Sequence, residues 1–187
     1  MRILKPTVLG YEKEGPLGIE WHFSNDEDVY INSLAHERND LKVERNVRSK
    51  IFNNCKHSDL DIHVLGLRAE YAVSQILCGE FDDNFYLGGD RDTWDVKLLD
   101  GCTVSVKYRN KRGWAFALRG DNINELHTDF CVLCWPVDGD DNAVEAAGQC
   151  TKSHFQRYSH IDNFGYGPRL VIEQEKMNKF TKRTERG

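Results

Sequence analysis

The chain has no P-loop, no serine in a nucleophile elbow, and no histidine pair at metalloprotease spacing, which removes the common hydrolase classes. Nor does it contain an internal repeat or a low-complexity segment. No apolar run approaches the length of a membrane span, and the first residues, MRILKPTVLG, lack the apolar core of a secretory leader. Cys55, Cys78, Cys102, Cys131, Cys134 and Cys150 sit singly in hydrophobic contexts, without the spacing of a disulfide framework; free core thiols in a reducing cytoplasm are expected. Cys131 and Cys134 form a lone C-x-x-C inside the apolar run at 130–137. Residues three apart on a strand face opposite sides, so the two cannot share one zinc ion.

What is present describes one soluble domain. A length of 187 residues, 40% of them hydrophobic and 29% charged, supports a core without staples. The net charge of −5 argues against a protein that simply coats nucleic acid. Its distribution is uneven. Residues 80–100 hold Glu80, Asp82, Asp83, Asp90, Asp92, Asp95 and Asp100, whereas 101–120 hold Lys107, Arg109, Lys111, Arg112 and Arg119 with no acid. An acidic cluster running into a basic one suits a metal site beside a phosphate track, or simply a solvated loop followed by a solvated strand.

The stretch 94–119 is the most informative. Two strand-like segments, 93–99 and 102–109, flank Asp100-Gly101, the signal of a hairpin. A bulged turn that pairs Asp95 with Lys107 puts Asp95, Lys97, Ser105 and Lys107 on one polar face. Val96, Leu98, Val104 and Val106 then lie behind them. Upstream, the capping pattern Ser24-Asn25-Asp26-Glu27 opens a helix running to about residue 52, with a salt-laced outer face that includes Arg38. A second helix spans 62–78 and ends at Gly79, with a solvent strip at Arg68 and Gln75. Glu70 projects inward between Leu67, Val73 and Leu77, where a carboxylate must be bound to a metal or satisfied by an arginine or backbone amides. Downstream, 114–118 reads as a third strand of the hairpin sheet and 130–137 as a central strand. Further strands are expected at 143–148 and 169–173 around a short helix at 151–158, with a frayed basic tail from Lys176. Tyr108 or Trp114 could stack on a base or simply pack, and for Trp114 core packing is expected.

The order of these elements resembles the PD-(D/E)XK, or restriction-endonuclease-like, nuclease superfamily. A helix with an inward Glu is followed by a strand with Asp, a hairpin into x-V-K, and a basic strand. The resemblance covers about residues 62–136, between an N-terminal arm and helix (1–61), an additional strand-helix-strand (137–175) and a basic tail (176–187). It implies an α+β fold with a central mixed β-sheet flanked by helices. Asp95 and Glu70 would bind Mg²⁺ or Mn²⁺ together with the carbonyl of Val106. Lys107 would act in catalysis, and Arg109, Lys111, Arg112 and Arg119 would contact DNA. Ser105 departs from the pattern, standing where that family usually carries a second acidic ligand. Glu70 then supplies the second charge, or Asp90 or Asp92 takes that place, or the protein binds DNA without cutting it. The implied activity is metal-dependent hydrolysis of DNA phosphodiesters, and two-strand cutting by so small a domain would call for a homodimer. The alternative is a catalytically weakened relative acting as a DNA-binding or protein-interaction module.

Overall fold

The computed structural model describes residues 3–44, 58–83, 94–119, 126–163 and 167–182. The N-terminal arm folds into a hairpin of β1 (Tyr11–Glu14) and β2 (Ile19–His22). Helix α1 (Asn25–Glu44) follows, its start fixed by Ser24, whose hydroxyl accepts the Glu27 N–H while the Glu27 carboxylate accepts the Ser24 N–H. The expected continuation of α1 through 45–52 lies outside the described residues. Helix α2 (Asp59–Ile76) opens on a second reciprocal box, Ser58 with Asp61. It closes differently from the expectation. Cys78 adopts the left-handed conformation, and the Cys78 and Gly79 N–H groups bond back to Gln75 and Ser74. Gly79 serves close approach instead, since a Cβ there would come within 2.8 Å of Val96 Cγ1.

The main sheet is mixed. β3 (Glu80–Phe81), β4 (Val96–Lys97) and β5 (Thr103–Tyr108) precede β7 (Phe130–Val137) and β8 (Asp140–Thr151), in the spatial order β1-β2-β8-β7-β5-β4-β3. Among the described residues only the β5–β7 pairing is parallel. The expected third hairpin strand leaves this sheet. β6 (Phe116–Arg119) pairs instead with β10 (Pro168–Ile172), which also pairs β9 (His160–Asn163), in a separate three-stranded sheet. The place beside β5 is taken by the continuously apolar β7, which is buried on both faces.

Two cores divide along the faces of the main sheet. On one, α1 and α2 bury Ile31, Leu34, Leu67, Val73 and Ile76 against Val96, Val104, Val106, Val132 and Cys134. On the other, Phe116, Leu170, Ile172 and Phe155 of helix α3 (Lys152–Tyr158) cover Cys131, Leu133 and Trp135. Cys131 and Cys134 thus point to opposite faces, as alternation requires. The residues from Lys176 onward are not frayed as far as Lys182. β11 (Asn178–Lys179) pairs β8, and Met177 and Phe180 are buried. Arg68 is no solvent-strip residue either. Its guanidinium donates to the Asp141 carbonyl and the Asn142 side chain, lies 3.3 Å from Asp28, and stacks over Phe23. Among the described residues no helix is long and apolar enough to cross a membrane.

Candidate active site

The β4–β5 hairpin turns through Leu99, Asp100 and Gly101. Leu98 N–H bonds to Cys102, Gly101 N–H bonds back to Leu98, and Gly101 takes a φ of 84°. This is a three-residue loop with a left-handed glycine. Its extra residue, Leu99, is taken from the end of the first strand, so Val96 pairs Val104 and Asp95 falls opposite Ser105 rather than Lys107. A shift by two residues preserves facing. Asp95, Ser105 and Lys107 therefore do share one face, and Val96, Val104 and Val106 are buried behind them.

Asp95 stands just before β4 and turns its carboxylate across the strand gap. Oδ2 accepts the Val106 N–H at 2.6 Å and the Ser105 hydroxyl at 3.3 Å. Lys107 Nζ lies 3.6 Å from the same oxygen and donates to the Val106 carbonyl at 3.0 Å. Ser105 is buried, while Lys107 keeps access to solvent. Glu70 approaches from α2. Although the residue as a whole retains some surface, its carboxyl group is enclosed. Burial above all, then the like charge of Asp95, pushes that carboxyl up to about 8, against the opposing pull of Arg38 and Lys107. Glu70 and Asp95 thus act on each other electrostatically.

Two members of the cluster were not legible as such. Arg38 comes off the presumed solvated face of α1, donates to the Asp82 carbonyl at 2.8 Å, and offsets the charge at Glu70. Asp82 is buried, and its N–H bonds to the Asp95 carbonyl at 3.3 Å. Arg38, Asp82 and Asp95 therefore form one backbone-linked line across the end of β3. Only the packing of α1 on α2 brings Arg38 there, and no local pattern signals it.

The basic residues divide. Arg109 Nε donates to the Ala115 carbonyl at 3.1 Å, and its guanidinium is partly buried beside Arg169 of β10. Burial and that neighbouring charge both lower its affinity for its proton. Lys111 is exposed. Arg112 turns inward: Nη2 lies 3.0 Å from Glu145, which is wholly buried, and Nε 3.4 Å from Asp138. Its expected contact with DNA is displaced by this pairing, because Glu145 has no water to solvate it. The backbone of Arg119 pairs with Arg169; its side chain, like Asp90 and Asp92, lies outside the described residues. Trp114, expected in the core, is 49% exposed.

Among the described residues no three His, Cys, Asp or Glu side chains are gathered closely enough to hold a metal ion. The donors on hand are two carboxylates and the Val106 carbonyl, all hard oxygens. A cation between Glu70 and Asp95 would offset both the burial and the like charge that hold the Glu70 carboxyl up. That donor set fits Mg²⁺ or Mn²⁺ with water completing the coordination. Neither a protein-family model nor a curated protein matches this chain.

Proposed function

We propose that the protein is a divalent-metal-dependent nuclease that hydrolyses DNA phosphodiester bonds, with Glu70, Asp95 and the Val106 carbonyl holding the metal and Lys107 acting on the phosphate. The observation that carries this reading is the clustering of Asp95, Ser105 and Lys107 on one face of the β4–β5 hairpin, with α2, which bears Glu70, packed on β5. A buried carboxyl facing a second carboxylate destabilises the fold when ionised, so its presence points to a charge it is built to receive. Mg²⁺ or Mn²⁺, when bound, supplies positive charge on a phosphate oxygen and a more acidic water. Lys107 Nζ, beside Asp95 yet solvent-accessible, is placed to orient that water and to stabilise charge developing on the phosphate. Arg109, Arg169 and Lys111 supply backbone contacts beyond it. The Ser105 hydroxyl donates to Asp95 Oδ2 and fixes that carboxylate, a positioning role in place of an acid's ligand role.

The second reading is a relative that binds DNA, or a protein partner, without cutting. It is favoured by Ser105 itself, and by Asp95 Oδ2 already taking contacts from Ser105, Val106 and Lys107. The described cysteines are free, which suits a cytoplasmic site of action. Cleavage of plasmid, linear and branched DNA with Mg²⁺ or Mn²⁺ separates the two readings. The nuclease reading predicts metal-dependent cutting by the wild type that Lys107→Ala lowers by about 100- to 1,000-fold, the range for losing one donor to a developing oxyanion. Equal activity in both proteins, or none with any substrate and metal, would rule it out.

A further inference from the structure

The segment that follows Lys107 is built as a rigid platform. Arg109 Nε bonds the Ala115 carbonyl at 3.1 Å and so closes the loop upon itself. Its middle is pinned by Arg112, whose guanidinium reaches the wholly buried Glu145 at 3.0 Å and Asp138 at 3.4 Å. Glu145 is held in turn by the Leu17 and Gly18 N–H groups at 2.7 and 3.1 Å. Gly113 takes a φ of 78°, a conformation that aims the next residue outward at little cost only for glycine. That next residue is Trp114, 49% exposed and flanked by exposed Asn110 and Lys111. A large aromatic left half in water on an anchored loop presents one flat apolar face at a fixed place. On the same loop, Arg109 is tied to the Ala115 carbonyl next to Trp114, and Lys111 is exposed, so two cations stand on the loop that presents the ring.

We propose that Trp114 stacks on an unpaired base while Arg109 and Lys111 of the same loop hold the adjoining phosphate, so that the substrate is DNA with a single-stranded segment next to the scissile bond. The inference rests on the nuclease reading and narrows it. In an intact duplex every base face is already stacked on its neighbours, so a side-chain ring gains a base only at an end, a flap or a junction. The loop begins at Arg109, directly after β5, the strand that carries Lys107.

The test measures binding separately from cutting. Affinities of the wild type, Trp114→Phe and Trp114→Ala are determined in EDTA for a single strand, a blunt duplex and a duplex with a single-stranded overhang, with circular dichroism as the folding control. The expected result is preference for the single strand and the overhang, a loss of about 5- to 150-fold on Trp114→Ala for those two, the range for one base on an aromatic ring, retention in Trp114→Phe, and no change for the blunt duplex. Equal affinity of Trp114→Ala and wild type, an equal loss on all three DNAs, or a wild-type preference for the blunt duplex would overturn the proposal, as would tighter binding of an RNA strand of the same sequence. Cleavage in Mg²⁺ separates the two ideas. Lys107-dependent cutting that Trp114→Ala leaves unchanged sinks only the stacking proposal, whereas selective binding without cutting sinks only the nuclease reading.

Discussion

Glu145 and Glu70 are both enclosed carboxylates, but their surroundings differ in sign. Glu145 receives two backbone N–H groups on one oxygen and the Arg112 guanidinium against the other. Glu70 is pushed up to about 8 first by its burial and then by the charge of Asp95, with Asp82 adding least and Arg38 and Lys107 only partly offsetting them. A carboxylate with matched partners fixes structure, here the Gly15–Gly18 turn and the loop bearing Trp114. A carboxylate set against its own kind is costly to ionise, and that cost is recovered only if a cation arrives. The comparison separates a charge that holds the fold from one that waits for a ligand, although both read as buried acids.

The largest effect should fall on Glu145's side. Arg112→Met leaves that buried carboxylate with its two N–H donors but no counter-charge. We expect a loss of about 3 kcal/mol in unfolding free energy by urea denaturation, with Mn²⁺ affinity of the folded protein unchanged. Conversely, Lys107→Ala removes a partly exposed partner and should move stability by less than about 1 kcal/mol, while abolishing most cleavage. Matching stability losses in both variants would erase the contrast.

Next in size is a pH effect. Glu70 has a folded value of about 8 against an ordinary 4.5. Below the ordinary value both states carry the proton. As pH rises from there through 8 the unfolded chain releases it more readily than the folded one, so stability falls. Thermal melting of metal-free wild type should therefore drop between pH 5 and 9. Glu70→Gln should flatten the decline, and Mg²⁺ should restore stability at the alkaline end for wild type only. An unchanged slope in Glu70→Gln would show that other groups set it.

Much of this was legible in the chain, and what was not has a common cause. Alternation places Ser105 and Lys107 on one face, a bulged Asp100-Gly101 turn adds Asp95 to it, and the helical wheel turns Glu70 inward, because all three follow from local pattern. The register failed by two residues, since which strand yields the extra loop residue depends on where Gly101 can be left-handed, and Leu99 was the residue given up. β6 was assigned to the wrong sheet because its partner β10 lies some fifty residues on and its former place suits the more apolar β7. Arg38, Arg169 and the inward turn of Arg112 depend on contacts between distant segments, and an arginine's long stem gives no sign of which way it will reach. Trp114 is exposed where a core position is expected, because Gly113 and the anchored loop turn it outward.

The central claim is that Glu70 and Asp95 share one divalent cation, and a Mn²⁺ titration followed by electron paramagnetic resonance tests it most directly. The account predicts one bound ion per chain in wild type, bound more tightly at pH 8.5 than at pH 6. It also predicts loss of that site in both Glu70→Gln and Asp95→Asn, and its retention in Arg112→Met. Undiminished binding in either carboxylate variant, or no binding to wild type at any pH, would contradict it.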